Sequence, residues 1–331
     1  MIILITIIIL GICIIPIAWI IVTNFYNNLN ENIDYRQEMR NFVRNISAYS
    51  KNFNNNFIII PQNGNELITS DGSATGKIMI EYMNSIDGLG REDLFYGYNN
   101  DNEPTPTSEQ EYMMGFLDLA LSYNKKILVI DYYWNHPYID DSYIKNSAKN
   151  YISFAAEHRE LDIIPTYPLT PYNSNNNNIS SLNDAKNFLY LINPSTFDNK
   201  SHFINALKNT NYDILIIDLF FEGTLLNSSD INQLKLKPSG SRRLVLAYLS
   251  IGEAEDYRYY WKSEWNTNPP DWLCNENPNW PGNYKVKYWY AEWQNIIFGN
   301  NESYVYKIIN SGFDGVYLDI IDAFEYFKDL Y

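Results

Sequence analysis

The feature that most constrains this chain is a recurring unit, a short unbroken apolar run that ends in polar side chains and is followed by a helical stretch. Phe57–Ile60 (FIII), Lys126–Asp131 (KILVID), Ile214–Leu219 (ILIIDL), Leu244–Ser250 (LVLAYLS) and Gly315–Ile320 (GVYLDI) are such runs. A strand that is apolar on both faces must be covered on both faces, which implies a parallel sheet wrapped by helices. Further strands are expected at Ile86–Gly90, Ile163–Tyr167, Tyr190–Asn193 and Lys285–Trp289. The total exceeds by one what an eight-stranded barrel admits, and Ile163–Tyr167 and Lys285–Trp289 fit the pattern least. A helix from Arg36 would bury Met39, Phe42, Val43 and Ile46. Others are expected near Gly76–Asn84, from Ser108 with Glu111 completing a capping box, and at Ser147–Arg159, Lys200–Asn209, Tyr290–Phe298 and Glu302–Asn310. The expected fold is α/β, a (β/α)8 TIM-type barrel forming one domain over residues 37–331. An Asn-rich connector at 173–180 has no period and reads as a flexible surface segment.

Met1 to Thr23 carries no charged side chain and is long enough to span a bilayer. Its start lacks the basic residues of a secretory signal, so the expectation is a transmembrane anchor or uncleaved signal, with a polar linker at 24–36. Asn45, Asn178, Asn199, Asn227 and Asn301 each begin an N-x-Ser pattern, which fits a domain outside the cytoplasm, anchored or secreted. The 331 residues hold 24 Lys and Arg against 39 Asp and Glu, a formal net charge of −15. That balance offers no basic stripe for nucleic acid and favours a neutral or cationic partner. Cys13 and Cys274 make no disulfide framework, and three scattered His give no metal-ligand cluster. No metal or organic cofactor is expected.

In such a barrel the chemistry belongs where side chains just past each strand converge. Asp218, Glu253 and Asp319 follow three of the strands. Carboxylates crowded at one mouth repel, so one holds its proton while its neighbour stays charged. Glycoside cleavage needs that pair. Gln62, Asn63, Asp87 and Asp131 are candidates for holding substrate hydroxyls, and Tyr248 for lining the cleft. Alternation along a strand places Tyr317 on the face of Asp319. Arg258 would clamp an anion or orient Glu255 and Asp256. Trp261, Trp265, Trp289 and Trp293 would stack on sugar rings. For Trp289 and Trp293 the four-residue spacing equally suits helix-to-barrel packing.

The stretches LVLAYLSIGEAEDYRYYW (244–261), WPGNYKVKYWYAEW (280–293) and GFDGVYLDIIDAFEYF (312–327) carry a resemblance, as do FIIIPQNGNEL (57–67), IDGLGREDLFYG (86–97) and ILVIDY (127–132). They resemble an extracellular barrel family related to the endo-α-1,4-polygalactosaminidases of the glycoside hydrolases. In those relatives the YLIN and ILIIDL strands come first, and the PQNG segment follows the YLDIID segment. Here the PQNG half comes first, the pattern of a circular permutation. The resemblance then implies that residues 36–50 supply the helix following the Gly315–Ile320 strand. It also places the family's catalytic Glu on Tyr317, a departure from the family pattern. The implied activity is hydrolysis of an extracellular polysaccharide, with an amino-sugar polymer among the candidates in the family's manner. Asp319 would be nucleophile or base, Glu253 the acid, and Asp218 would bind or tune the pair. The alternative is a non-catalytic glycan-binding or cell-surface barrel.

Overall fold

The computed structural model describes residues 33–330. The apolar run expected to anchor the chain, 1–23, and most of the 24–36 linker lie outside these residues. Among the described residues no helix is long and apolar enough to cross a membrane.

Helix α1 (Tyr35–Phe53) starts where the Asp34 side chain accepts a hydrogen bond from the Gln37 amide, and Glu38 lies in its first turn. Both satisfy the positive helix start. Its buried face is Met39, Phe42, Val43 and Ile46, the stripe the sequence spacing predicts. Eight short strands follow in order: β1 (Ile58–Pro61), β2 (Gly88–Glu92), β3 (Lys126–Tyr132), β4 (Ile152–Ala156), β5 (Phe188–Leu191), β6 (Ile214–Ile217), β7 (Leu244–Ser250) and β8 (Gly315–Asp319). β5, β6, β7, β8 and β1 form one parallel ladder, and β2, β3 and β4 another. A parallel bridge from Gln62 to Gly90 joins β1 to β2. Phe154 on β4 meets Phe188 on β5 with ring centroids 5.8 Å apart. The result is a TIM-like α/β barrel with strands in sequence order.

Helices α2 (Ile80–Ser85), α3 (Thr107–Ser122), α4 (His136–Ala148), α5 (Lys200–Lys208), α6 (Ser228–Leu234), α7 (Ala291–Ile297), α8 (Tyr304–Ser311) and α9 (Ala323–Leu330) complete the shell. α1 packs against α2, α8 and α9. It therefore covers the seam between β8 and β1, with Tyr35 5.7 Å from Phe327 between ring centroids.

Four expectations need correction. The fourth strand is Ile152–Ala156, inside the stretch where a helix was expected, and the helix lies earlier, at α4. Two alanines make the run ISFAA look helical, and only burial on both faces makes it a strand. Ile163–Tyr167 is irregular, and the Lys285–Trp289 strand is instead Asn283–Val286. The latter pairs antiparallel with Glu253–Glu255 and Leu273–Glu276 in a small sheet outside the barrel. The Asn-rich connector is also pinned rather than loose. Lys237 and Asp213 form a fully buried ion pair at 2.5 Å, Lys237 Nζ donates to the Asn175 carbonyl at 3.1 Å, and Asn175 Nδ2 donates to Asp213 at 2.9 Å.

Gly90 shows how tightly the barrel interior is filled. A Cβ there would sit 2.0 Å from the Tyr317 hydroxyl, which ends a fully buried ring. Gly90→Ala is expected to lose about 1–3 kcal/mol in urea unfolding. Adding Tyr317→Phe should recover part of that loss, and additive losses in the double variant would refute the contact.

Candidate active site

A cleft of about 890 Å³ opens at the C-terminal ends of the strands, the volume of a small-molecule or oligosaccharide site. β1 runs out into Gln62 and Asn63, β2 ends at Glu92, β3 at Tyr132, and β8 at Asp319, and all five residues line the cleft. The barrel register explains this convergence, because parallel pairing of β7, β8 and β1 brings their ends to one rim.

Asp319 is held from two sides. Gln62 Nε2 donates to Oδ1 at 2.9 Å and the Tyr248 hydroxyl donates to Oδ2 at 2.8 Å. Withdrawal from bulk solvent, followed by the charge of Glu92, pushes the Asp319 carboxyl up to about 8. Glu92 faces it across the cleft wall, fixed by Asn63 Nδ2 at 2.9 Å and by the Tyr132 hydroxyl. The Asn63 side chain also accepts from the Glu92 amide at 3.2 Å, so one residue fixes both backbone and carboxylate. Asp322 completes this wall, pushed up to about 6 by burial and by Glu92. Between them Ile320 sits at φ 57°, a left-handed conformation that costs a β-branched residue about 1–3 kcal/mol. The chain turns there directly after the carboxylate.

The other wall carries compensated charge. Arg258 donates through Nε to Glu255 at 2.6 Å and through NH1 to Asp218 at 2.9 Å. Burial raises the Asp218 carboxyl and Arg258 offsets part of that rise. Arg258 therefore orients Glu255 and Asp218, where Asp256 was expected as the second partner. Glu253 is buried, paired with Lys285 at 2.5 Å, and accepts from Asn277 at 2.9 Å.

The cleft thus gathers Gln62, Asn63, Asp218, Tyr248, Glu253, Arg258 and Asp319 of the residues singled out from the sequence. It does not gather Asp87, Asp131, Tyr317 or Trp289. Asp87 precedes β2, at the opposite end of the barrel, where it accepts from the Ile59 amide and pairs with Lys51. Asp131 alternates away from the barrel axis. It accepts from the amides of Phe95 and Tyr96 and from the Ser142 hydroxyl, in full burial. Tyr317 lies one layer below Asp319, packed on Tyr190 at 5.1 Å. Trp289 packs on Tyr35 and Phe327 at 5.0 and 4.8 Å. Trp293 is fully buried, with its indole N–H on the Ile251 carbonyl, so its spacing meant packing.

Glu92 and Tyr132 were missed, whereas Asp322, which the sequence sets beside Asp319 at a strand end as a helix cap or a catalytic group, lines the cleft. The sequence pattern sets β2 at Ile86–Gly90, two residues early, which leaves Glu92 beyond its end and puts Asp87 inside it. Tyr132 is the alternate neighbour of Asp131, and strand periodicity alone would have found it had the inward face been known.

A cleft at the strand ends with an acidic pair invites comparison with known sugar-cleaving barrels. Residues 175–330 match the model of Glycoside-hydrolase family GH114. The match spans just under half of the chain and supports a glycoside hydrolase family. An uncharacterized protein of Methanocaldococcus jannaschii is 49% identical over 127 residues, 38% of this chain and 35% of that protein. An uncharacterized protein of Thermotoga maritima is 44% identical over 120 residues, 36% of each chain. One of Deinococcus radiodurans is 37% identical over 123 residues, 37% of each. The chain thus matches little more than a third of the length of these relatives. The GH114 match takes in Asp218, Glu253 and Asp319 and leaves Gln62, Asn63 and Glu92 in the part it does not reach.

Asp319 gives a test that needs no substrate. Its folded form keeps a proton up to about 8, whereas an unfolded aspartate releases it near ~3.9. Within that window the folded state binds more protons, so rising pH lowers stability. Asp319→Asn should flatten the fall in unfolding midpoint between about pH 5 and about pH 8. Parallel curves for variant and native protein would show that the carboxyl titrates normally.

Proposed function

We propose that this chain is a glycoside hydrolase that cleaves an amino-sugar polysaccharide, with Asp319 as proton donor and Glu92 as the partner carboxylate. The observation that carries the reading is the buried Asp319 carboxyl, held by Gln62 and Tyr248 and pushed up to about 8 by withdrawal from solvent and by the nearby Glu92. An acid for a glycosidic oxygen must hold its proton at working pH while a second carboxylate stays free to attack the anomeric carbon or activate water. This reverses the roles the sequence implied. Asp319 becomes the acid instead of the nucleophile. Glu253, with Oε1 engaged by Lys285 and Asn277, becomes a wall residue. Asp218 and Glu255, tied to Arg258, would hold substrate rather than react.

The preference for an amino sugar follows from charge. Apart from the protonated Asp319, Glu92, Glu160, Asp218, Glu222, Glu253, Glu255 and Asp322 line the cleft against Arg159 and Arg258. A polymer carrying ammonium groups is attracted to such a wall and an acidic polysaccharide is repelled. The family model that matches residues 175–330 agrees with a glycan substrate. The wider setting remains the one the sequence implies: a permuted member of that family, anchored through residues 1–23 or secreted, acting outside the cytoplasm. α1 lying over the β8–β1 seam supports the permutation.

Incubation with α-1,4-linked galactosamine polymer, followed by assay of new reducing ends, tests the reading. Asp319→Asn and Glu92→Gln should each lower kcat by about 10²–10⁴-fold. Activity should fall as pH rises through about 8, where the acid loses its proton. Full activity in either variant removes that residue from the chemistry. A second reading, a non-catalytic glycan-binding barrel, is favoured by Tyr317, which the resemblance sets in the catalytic position yet which lies buried below the cleft. Binding without release, unchanged in Asp319→Asn, would establish it.

A further inference from the structure

Trp134 leaves β3 at the barrel mouth with 57% of its surface exposed. That exposure is not looseness. The amides of Trp134 and Asn135 both donate to Asn102 Oδ1, at 3.2 and 3.0 Å, and the Asn102 amide donates to the Tyr132 carbonyl at 2.9 Å. The ring is therefore carried on a turn pinned to the end of a core strand. A large apolar ring fixed in water is a surface arranged for a flat amphipathic ligand.

Beside it lies a second hollow of about 340 Å³, lined by Asp101, Trp134, Glu157, His158, Arg159 and Glu160. Arg159 and Glu160 also line the main cleft, so the two hollows share a wall. That wall is rigid: Arg159 pairs with Asp93 at 2.8 Å and Asp101 at 2.6 Å, and lies 3.8 Å over the Tyr132 ring. Tyr132 in turn holds Glu92. The dividing wall is thus built on the same residues that fix the acidic pair.

Trp280 is the matching feature on the other side. It is 47% exposed, lines the main cleft, and sits on the excursion that follows β7. β3 and β7 stand opposite each other in a barrel of eight strands. The two rings are thus carried on excursions from opposite strands, and the main cleft that Trp280 lines with Glu92 and Asp319 adjoins the hollow at Trp134 through Arg159 and Glu160.

We propose that the hollow at Trp134 is a distal subsite, holding one further sugar unit of a linear amino-sugar polymer that crosses the mouth from Trp280. The indole takes the apolar face of a pyranose ring, and Asp101, Glu157 and Glu160 face its ammonium and hydroxyl groups. This rests on the glycan reading of the main cleft, but it assigns a site that hydrolysis by Glu92 and Asp319 does not require.

Binding and turnover separate the two ideas. The binding arm uses Asp319→Asn with and without Trp134→Ala, titrated with galactosamine polymer. Trp134→Ala should weaken binding about five- to tenfold, and Trp134→Phe should restore most of it. In the turnover arm, Trp134→Ala should lower the ratio of kcat/KM on long polymer to that on a tetramer by a similar factor, through KM. Weakened binding with no reducing ends released by the native protein supports the subsite and sinks the hydrolase. Release with an unchanged long-to-short ratio and unchanged binding overturns the subsite and leaves the hydrolase standing. No retention of the polymer by any form overturns both.

Discussion

The parallel seam between β8 and β1 is the constraint on which the mouth depends. The Gln62 amide donates to the Leu318 carbonyl at 2.8 Å, and the Gln62 side chain reaches Asp319 at 2.9 Å across 257 positions of chain. Closing so long a loop has an entropic cost that only many simultaneous contacts offset. The seam supplies them: backbone pairing from Ile58 with Gly315 to Pro61 with Leu318, and α1 packed above it. Gly315 and Gly90 are small where backbone or a tyrosine comes close, Gly315 against the Ile58 carbonyl and Gly90 against the Tyr317 hydroxyl. Remove the seam and Gln62, Glu92 and Asp319 have no reason to meet.

What the seam creates is a cleft with two electrically different walls. On the β6–β7 side each buried carboxylate has a cation: Asp218 and Glu255 share Arg258, and Glu253 has Lys285. On the β8–β2 side Glu92 and Asp319 are held by neutral donors, the amides of Gln62 and Asn63 and the hydroxyls of Tyr132 and Tyr248. Neutral donors fix geometry without cancelling charge, so the repulsion between the two carboxyl groups remains and one of them keeps its proton. In the proposed reaction the compensated wall would bind and orient, and the uncompensated one would transfer the proton. The left-handed Ile320 beside Asp319 fits the same pattern, local strain at the position where chemistry is proposed.

Much of the barrel was legible because its strands are buried on both faces and its helices on one. The runs LVLAYLS and GVYLD and the α1 stripe of Met39, Phe42, Val43 and Ile46 carry those patterns openly. ISFAA did not, since five small or apolar residues suit a helix as well as a strand until the neighbours of β4 are known. A two-residue displacement of β2 then left Glu92 beyond the expected strand and drew in Asp87, which lies at the opposite end of the barrel. Likewise Asp131 and Tyr132 are adjacent in sequence and point to opposite faces, and the sequence does not mark which face is inward.

The sequence by itself determined the parallel α/β architecture, the acidic character of the chain, and the set of strand ends at which Asp218, Glu253 and Asp319 would lie. It did so because apolar periodicity and net charge are properties of neighbours along the chain. Only the tertiary structure decided that Glu92, not Glu253, faces Asp319, that Arg258 and Lys285 neutralise one wall, and that Trp134 and Trp280, not Trp289 and Trp293, stand in water. Those outcomes depend on which residues lie within a few ångströms through space. In a closed barrel that is set by strand register and seam closure, which couple positions hundreds of residues apart.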